Sequence, residues 1–292
     1  MDCCCECEAP RSLRFLPPAV VFSIIVWLYG SFVLNAQAQL LRFPYRVSTW
    51  ELVPFHVMTV LLCGSLAQCL LSTESFVKRG SKKGGEPRDA TGKIVVETKA
   101  NGERRFCRRC YVWKADRMHH CSSCRRCVLK MDHHCVYINK CIGYFNYKFF
   151  LQFLGWSSVT CLYEASLIFR YLVLDHLDRC VALFVHGRLS VMSTSFQIIA
   201  LFFGSACLGA ALFCFFILHL YFTARNCTTL EFCEKRRDPT YVNHFDVGVL
   251  TNLQQVLGTF RELPYWFIPI QTPSVVRRGA VSFPVNTKNK DE

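Results

Sequence analysis

A stretch of eleven residues, MDHHCVYINKC, places two histidines and a cysteine side by side and adds a second cysteine six positions later. It closes a wider segment, from Cys107 to Cys141, that holds seven cysteines and four histidines. Pairs spaced Cys-x-x-Cys suit a tetrahedral zinc ion, because the two-residue gap lets both sulfurs reach one ion at about 2.3 Å. Two closed zinc sites need eight ligands, so three groups remain for other chemistry.

A reactive cysteine must be one that the metals leave free, because a thiolate bound to zinc is a weak nucleophile. Spacing alone does not say which cysteine that is. Cys135 is the best candidate, because the imidazole of His133 stands two residues before it and the carboxylate of Asp132 three residues before it. A nucleophile, a base and an orienting acid are the parts that nucleophilic catalysis requires. On the residues alone, a purely metal-binding role for all of them stays open.

The composition of the chain places this segment beside a membrane. Of 292 residues, 52% are hydrophobic and 19% are charged, which is too apolar for an ordinary soluble domain of this length. Four stretches are long and apolar enough to cross a bilayer, and His219 and Tyr221 indicate a wetter end of the fourth. The predicted fold is therefore an α-helical membrane protein with four transmembrane helices and a cytosolic, zinc-stabilised cysteine-rich domain between the second and third.

The charge distribution predicts the orientation. The loop from Phe76 to Lys148 carries 18 Lys and Arg against 6 Asp and Glu, which favours the cytosolic side for this loop and for both termini. In the reducing cytosol, clustered cysteines are typical of metal ligands or catalytic thiols rather than of disulfides. The predicted segments are a cytosolic tail (1–16), helix 1 (17–38), a far-side loop (39–51), helix 2 (52–73), the cytosolic cysteine-rich domain (74–148, core 104–148), helix 3 (149–174), a far-side loop (175–190), helix 4 (191–222) and a cytosolic tail (223–292).

The ends and the charge of the chain allow other interpretations. The net charge of +13 could indicate nucleic-acid binding, but the basic residues lie beside membrane spans, where anionic lipid is the better partner. The first apolar run and Ala36-Gln37-Ala38 resemble a signal peptide, but cleavage would remove the charge asymmetry. If the N-terminal tail is retained, its cysteines are expected to be either lipidated or reduced. These cysteines are Cys3, Cys4, Cys5 and Cys7. No internal repeat is expected.

The cysteine-rich segment resembles that of DHHC protein S-acyltransferases, the palmitoyltransferases. The resemblance rests on the spacing from Cys107 to Cys141, on the position of this segment between two helices, and on two motifs near the C-terminus. Thr228-Thr229-Leu230-Glu231 is similar to the family's TTxE motif, and Asn252 is similar to its C-terminal asparagine. Val136 and Tyr137 replace a proline and a tryptophan that are usual after the catalytic cysteine, which puts acyl chain-length preference in question more than activity.

The resemblance implies a role for each residue. One zinc ion would be held by Cys107, Cys110, His120 and Cys127, and a second by Cys121, Cys124, His134 and Cys141. Cys135 would carry the acyl group, His133 would move protons, Asp132 would orient His133 and Thr229 would support Asp132. The implied reaction moves a long-chain acyl group from acyl-coenzyme A to Cys135 and then to a cysteine of a membrane-associated protein, at an endomembrane (Golgi or ER) or at the plasma membrane.

Such a donor makes two further demands. Burying a methylene is worth about 0.8 kcal/mol, so a long acyl chain favours an apolar cavity between the helices. Phe153 and Thr160 of the third helix and Tyr137 after Cys135 are predicted to line it. The phosphates of coenzyme A need cations near the thiol, and the candidates are Arg105, Lys114, Arg117 and His119.

Two other classes of protein remain as alternatives. In a membrane-anchored zinc adaptor or ubiquitin ligase, every Cys and His would be structural and the loop would bind protein partners. A thioesterase with the same residues would release free fatty acid without a protein acceptor. Labelling of the protein with a fatty acyl-CoA analogue is the experiment that addresses these alternatives.

Overall fold

The computed structural model describes residues 15–40, 47–72, 75–80, 88–90, 95–99, 101–170, 189–237, 242–279 and 283–286. Its bundle consists of four long helices: α1 (Leu16–Leu40), α2 (Thr49–Leu71), α3 (Tyr147–Arg170) and α4 (Leu189–Ala224). Three of these helices contain stretches long and apolar enough to cross a membrane: Leu16–Ala36, Thr49–Leu71 and Phe196–Ala224. Cys3, Cys4, Cys5 and Cys7, residues 41–46 of the first predicted far-side loop and most of the second lie outside the described residues.

Helix α3 is the most enclosed helix of the bundle. It packs between α2 and α4, and its buried side chains include the polar groups of Lys148, Gln152 and Glu164. Because protein rather than lipid covers α3, this helix can carry polar side chains that a lipid-facing helix could not. The same enclosure explains why α3 is less apolar than the other three helices.

The end of the bundle far from the cysteine-rich domain is fixed by polar contacts. Helix α2 begins with a capping box, in which the Ser48 hydroxyl accepts from the N–H of Trp50 and the Glu51 carboxylate accepts from the N–H of Ser48. Arg170, the last residue of α3, forms an ion pair of 2.6 Å with Glu51. Helices α2 and α3 are thereby held in register at that end.

The cysteine-rich domain between α2 and α3 is built from very short strands. These are β1 (Arg88–Asp89), β2 (Phe106–Cys107), β3 (Val112–Trp113), β4 (His119–Cys121), β5 (Arg126–Val128), β6 (His133–Cys135) and β7 (Lys140–Ile142). Strand β3 pairs with β1 in parallel and with β2 antiparallel, while β4–β5 and β6–β7 form two separate hairpins. Isolated two-stranded hairpins are marginally stable at best in water, so this domain needs another source of stability.

The two hairpins share one register. In the first, His120 lies opposite Cys127, and in the second, His134 lies opposite Cys141. Both read HHC, five residues, then Cys. The expectation of no internal repeat is therefore wrong at this short scale. The repeat is hidden in the sequence because the two copies differ at all five intervening positions.

The segment after α4 wraps over the ends of α3 and α4. It contains α5 (Thr229–Arg237), α6 (Val249–Leu257), a 3₁₀ turn (Phe260–Trp266) and α7 (Pro273–Arg278). Asn252 of α6 is buried, and its side-chain amide donates to the carbonyl of Ala224, 2.8 Å, and to the carboxylate of Asp246, 2.7 Å. Asn252 thus ties α6 to the last turn of α4, where the bundle meets the cysteine-rich domain.

Candidate active site and metal centres

A first group of four side chains converges at the base of the β4–β5 hairpin. The ligand atoms of Cys107, Cys110, His120 and Cys127 lie within 4.8 Å of one another. Nδ1 of His120 is 3.5, 3.3 and 3.7 Å from the three sulfurs. A tetrahedral zinc ion places its nitrogen and sulfur ligands about 3.5 Å apart, given metal distances of about 2.0 and 2.3 Å. The donor set and its spacing therefore fit a closed zinc site.

A second group has the same composition and geometry. The ligand atoms of Cys121, Cys124, His134 and Cys141 also lie within 4.8 Å of one another. Nδ1 of His134 is 3.6, 3.4 and 3.7 Å from the three sulfurs. This group joins the two hairpins, since two of its cysteines come from the turn region of the first and its other two ligands face each other in the second.

Local backbone geometry shapes both Cys-x-x-Cys pairs. The N–H of Cys110 points to the sulfur of Cys107 at 3.4 Å, and the N–H of Cys124 points to the sulfur of Cys121 at 3.3 Å. Each turn thus brings its two sulfurs to one side and supplies a hydrogen bond to the first. Such bonds favour the thiolate form that a metal ligand requires.

Asp132 and His133 form a hydrogen-bonded pair next to the second group. Nδ1 of His133 lies 2.6 Å from Oδ2 of Asp132, which is buried. Thr229 donates to the same carboxylate twice, from its N–H at 2.9 Å and from its hydroxyl at 2.8 Å. Burial opposes ionisation of Asp132, but the bond from His133 and the charges and N–H around it hold its pKa below the usual value.

Cys135 belongs to neither group of metal ligands, and its side chain hydrogen bonds to His133. Burial disfavours the thiolate, but the bonds from His133 and from the backbone N–H groups of Ile138 and Tyr137 lower the pKa of Cys135. Burial likewise disfavours the imidazolium, but the bonds to Asp132 and Cys135 raise the pKa of His133 to about 9. Both pKa shifts are in the direction that favours a thiolate and imidazolium pair, with Asp132 on the far nitrogen of the ring.

The Thr-Thr-Leu-Glu motif acts as a helix cap that aims Thr229 at Asp132. The Thr228 hydroxyl accepts from the N–H of Glu231 at 3.2 Å, and the Glu231 carboxylate accepts from the N–H of Thr228 at 2.8 Å. This reciprocal capping box starts α5. The first N–H of α5, that of Thr229, then faces the Asp132 carboxylate, and the positive end of a helix stabilises such a charge.

Arg117 holds the motif to the cysteine-rich domain from a position where no phosphate can reach it. Its side chain is 0% exposed, and its guanidinium pairs with both carboxylate oxygens of Glu231 at 2.6 and 2.7 Å. Asn226 accepts two further hydrogen bonds, and the ring of Phe245 lies 4.7 Å away. The expectation that Arg117 binds a donor phosphate is therefore corrected, because all of its charge is used inside the protein.

The other predicted phosphate contacts lie together on the first half of the domain. The Arg105 guanidinium pairs with Glu97, and the N–H of Lys114 donates to the carbonyl of Arg105 at 2.8 Å. Burial and the charges of Arg105 and Lys114 lower the pKa of His119 to about 4. A neutral His119 can offer a hydrogen bond but no positive charge, so only Arg105 and Lys114 retain the expected character.

Cys135 lies in the wall of a large apolar cavity inside the bundle. The cavity has a volume of about 560 Å³ and is lined by residues of all four long helices. Tyr137, Phe153 and Thr160, which the sequence places at an acyl site, all line it. Most of its other lining side chains are aliphatic or aromatic, so an extended apolar chain attached to Cys135 would be sheltered from water.

His219 is a neighbour of the reactive pair that the sequence did not indicate. It was expected to mark a wet helix end, but it is 2% exposed, and one of its nitrogens is within 4.8 Å of ligand atoms of Asp132 and His133. Its Nδ1 lies 3.2 Å from the hydroxyl of Tyr147, and its ring packs on Phe150. The available signal was a lone ionisable residue in a long apolar span, which more often serves a site than a surface.

Comparisons with known proteins agree with this geometry. A family model described as DHHC palmitoyltransferase matches residues 100–236. The chain is 32% identical to "Palmitoyltransferase ZDHHC15" of Rattus norvegicus over 314 aligned residues, which cover 99% of this chain and 86% of the relative. It is 31% identical to the Homo sapiens protein of the same name over the same shares, and 38% identical to "Palmitoyltransferase ZDHHC2" of Homo sapiens over 65% of this chain and 49% of that relative.

Proposed function

This chain belongs to the DHHC palmitoyltransferase family, and we propose that the acyl group this palmitoyltransferase transfers is carried on Cys135. One observation supports the assignment above the others. Of the seven cysteines between residues 107 and 141, all described, Cys135 stands outside both groups of metal ligands and also lines the cavity. A thiolate with a basic partner and a channel for an acyl chain meets the needs of a thioester exchange.

The first step forms the acyl enzyme. The Cys135 thiolate attacks the thioester carbonyl of a long-chain acyl-coenzyme A, so that a new carbon–sulfur bond forms and the bond to coenzyme A breaks. The leaving thiolate takes a proton from His133. Backbone N–H groups of Tyr137 and Ile138 stabilise the free thiolate, and Cys135 lines the cavity that would receive the acyl chain.

The second step regenerates the enzyme. A cysteine of a membrane-associated protein gives its proton to His133, and its thiolate attacks the acyl carbon on Cys135. The Cys135 thiolate leaves and again pairs with the imidazolium. Asp132, held by Thr229, keeps Nδ1 of the ring occupied so that Nε2 serves both proton transfers.

We also propose that each group of four ligands holds a structural zinc ion. When bound, zinc supplies folding free energy to a domain whose strands are too short to fold by burial. The residues of the second group fix the β6–β7 hairpin, and His134 is the link, because it ligates from the position between His133 and Cys135. The spacing of ligand atoms supports this assignment.

The proposed topology has four spans with both termini and the cysteine-rich domain in the cytosol. The loop's 18 basic against 6 acidic residues support the orientation. Helix α3 is less apolar than its neighbours, but it completes the count of four spans because α2 and α4 flank it along its length. The substrate proteins would be membrane-proximal, with cytosolic cysteines at an endomembrane or the plasma membrane.

For the donor, Arg105 and Lys114 are the proposed contacts of the coenzyme A phosphates. Their half-buried positions on the first half of the cysteine-rich domain support this role, and the Arg105 guanidinium is held by Glu97 and by the carbonyl of Ala115. Cationic side chains held in place recognise phosphate better than freely moving ones. Arg117 is buried and paired with Glu231, so it is excluded as a phosphate contact. His119 contributes at most a neutral hydrogen bond.

Acyl labelling of purified full-length protein tests the proposed function. Incubation with an alkyne analogue of palmitoyl-CoA should label the wild type through a hydroxylamine-sensitive bond, and Cys135→Ser should abolish the label. Metal analysis should find two zinc ions per chain in both proteins. Cys233→Ser, at an exposed cysteine outside the site, serves as the matched control and should label normally.

The outcomes separate the alternatives. A metal adaptor predicts no label on any variant, and loss of zinc from Cys135→Ser would place Cys135 among the ligands. A thioesterase predicts label and free fatty acid but no transfer to an added cysteine-containing protein. Label that survives in Cys135→Ser would refute the assignment of the nucleophile.

A further inference from the structure

The acyl cavity contains one carboxyl group among its described lining residues, and the transfer reaction does not use it. Glu164 of α3 lines the cavity and is only 1% exposed. Its Oε1 has no hydrogen-bond partner, and no ion pair to its carboxyl is found within the residues that the structure describes. An unpartnered carboxyl within a membrane bundle is costly and is retained most often for a ligand or a reaction.

Glu164 lies at the depth where a long acyl chain ends. The ring of Phe150 lies 5.1 Å from that of His133 and marks the level of Cys135. Glu164 follows Phe150 by fourteen residues, or about 21 Å of helix. A fully extended chain of sixteen carbons spans about 19 Å, given carbon–carbon bonds of about 1.5 Å. The last carbons of a palmitoyl chain on Cys135 therefore reach the neighbourhood of this carboxyl.

Most other polar groups in the wall are already satisfied. The hydroxyl of Thr160 donates to the carbonyl of Trp156 at 2.7 Å, and that of Thr59 donates to the carbonyl of Phe55 at 2.8 Å. Among the described residues, Ser157 is the other lining side chain with an unpartnered polar atom. It lies seven residues before Glu164 on the same face of α3, at the middle of the chain's path.

We propose that Glu164 is a hydrogen-bonding subsite for the distal end of the acyl chain, and that the enzyme accepts acyl-coenzyme A donors bearing a hydroxyl at the last (ω) carbon. This inference rests on the proposed acyl transfer through Cys135. The thioester chemistry is unchanged, since the hydroxyl takes no part in it. A protonated carboxyl both donates and accepts a hydrogen bond and an ionised one accepts, so either form can bind a hydroxyl.

The size of the effect follows from the cost of an unpaired polar group. In an entirely apolar cavity, a buried ω-hydroxyl loses its bonds to water, and such a site rejects the hydroxylated donor by about 10- to 100-fold. With Glu164 as partner, the hydroxyl regains a hydrogen bond and the discrimination disappears. The ratio of the two donors in one enzyme sample measures this directly, because folding and active fraction cancel.

The experiment is a competition between palmitoyl-CoA and 16-hydroxypalmitoyl-CoA for purified full-length protein, with the two acyl enzymes resolved by intact mass. The wild type should form both at rates within about threefold of each other. Glu164→Leu should lower the share of the hydroxylated acyl enzyme about tenfold or more, and Glu164→Gln should retain it. Ser166→Ala, at an exposed residue of the same helix outside the cavity lining, is the control and should leave the ratio unchanged.

Each other result decides against the proposal or against its premise. Rejection of the hydroxylated donor by the wild type more than about 10-fold would overturn it, even if Glu164→Leu did not fold. So would an unchanged ratio in a folded Glu164→Leu. A variant that altered only the preference between sixteen- and eighteen-carbon chains would make Glu164 a length stop instead. No acyl enzyme from either donor in the wild type would refute the proposed function itself.

Discussion

The two hairpins of the cysteine-rich domain have the same strands and differ in what their last strand residue does. Both run His-His-Cys against a strand with a central cysteine, and in both the middle histidine directs Nδ1 at three sulfurs. Cys121 of the first hairpin is a ligand of the second metal group, while Cys135 of the second hairpin, at the same position, is left free. We propose that the same hairpin scaffold has a structural role in the first hairpin and a catalytic role in the second.

The residue three positions later explains this difference. Cys121 is followed by Cys124, which supplies a second sulfur, whereas Cys135 is followed by Ile138, which supplies none. The N–H of Cys124 points to the sulfur of Cys121 at 3.3 Å, and the N–H of Ile138 is among the groups that lower the pKa of Cys135. A backbone N–H three residues later therefore favours the thiolate at both cysteines, the proposed metal ligand in one hairpin and the proposed nucleophile in the other.

The residue before each strand separates the hairpins further. The first hairpin has Met118 there, buried and apolar, and the second has Asp132, buried and bonded to His133. The first histidine of each hairpin differs in the same way. Burial and the nearby cations lower the pKa of His119 to about 4, whereas bonds to Asp132 and Cys135 outweigh burial and raise the pKa of His133 to about 9. Equivalent positions acquire opposite properties from their neighbours.

The largest effect is expected at Cys124 of the first hairpin, whose counterpart in the second hairpin is Ile138. Cys124→Ser removes one sulfur from the second metal group, and structural zinc contributes about 10–16 kcal/mol to small domains. We expect loss of bound zinc, loss of the folded domain and no acyl labelling. Zinc content and protease resistance measure this. Ser123→Ala, one residue away in the exposed turn, should behave as the wild type; an active Cys124→Ser would show that zinc does not stabilise the hairpins.

The next effect tests the residue before the strand. Asp132→Asn keeps the shape but removes the charge that holds the His133 imidazolium, so acyl-enzyme formation should fall about 10²–10⁴-fold with zinc retained. Single-turnover labelling gives the rate. The matched change in the first hairpin, Met118→Leu, conserves volume and should cost less than about 1.5 kcal/mol and little activity. Equal losses in both variants would contradict a special role for Asp132.

A smaller effect is expected at the contact that only the second hairpin makes with α5. Thr229→Val deletes the hydroxyl bond of 2.8 Å to Asp132 but leaves the N–H bond of 2.9 Å. Losing one bond to a charged group is worth about 1.5–3 kcal/mol, so labelling should slow by about 10- to 100-fold. Thr229→Ser keeps the hydroxyl and should restore most of the rate. If the serine variant were as slow as the valine variant, the role of Thr229 would be packing alone.

The smallest effect should appear at the histidine of the first hairpin. His119→Gln replaces a neutral imidazole with another neutral hydrogen-bonding group, so labelling should change by less than about fivefold. His133→Gln, at the equivalent position, should reduce it by at least about 10³-fold, because the proton carrier is gone. A loss of labelling in His119→Gln as large as that in His133→Gln would contradict the proposal that the two hairpins have different roles.

Most of the candidate site could be predicted from the short-range spacing of residues in the sequence. The pairs Cys-x-x-Cys, the run Asp-His-His-Cys and the cap Thr-Thr-Leu-Glu each act within a few residues, so their geometry follows from turn and helix rules. Spacing could not say which cysteine escapes the metals, and the resemblance to a family supplied that partition. The comparisons then confirmed the family. Apolar length likewise predicted the long helices, three of which meet the criterion for a span.

The sequence by itself determined the kinds of donor groups, the hairpin ligands and the apolar helices, because each depends on neighbours along the chain. Only the tertiary structure decided which charges are free and where a polar group meets a cavity. Arg117 forms an ion pair with Glu231 of α5. His219 of α4 lies beside Asp132 and His133, and Glu164 of α3 lines the cavity. These contacts join residues far apart in sequence, and burial and pairing at such a distance depend on the packing of whole helices, which local patterns do not specify.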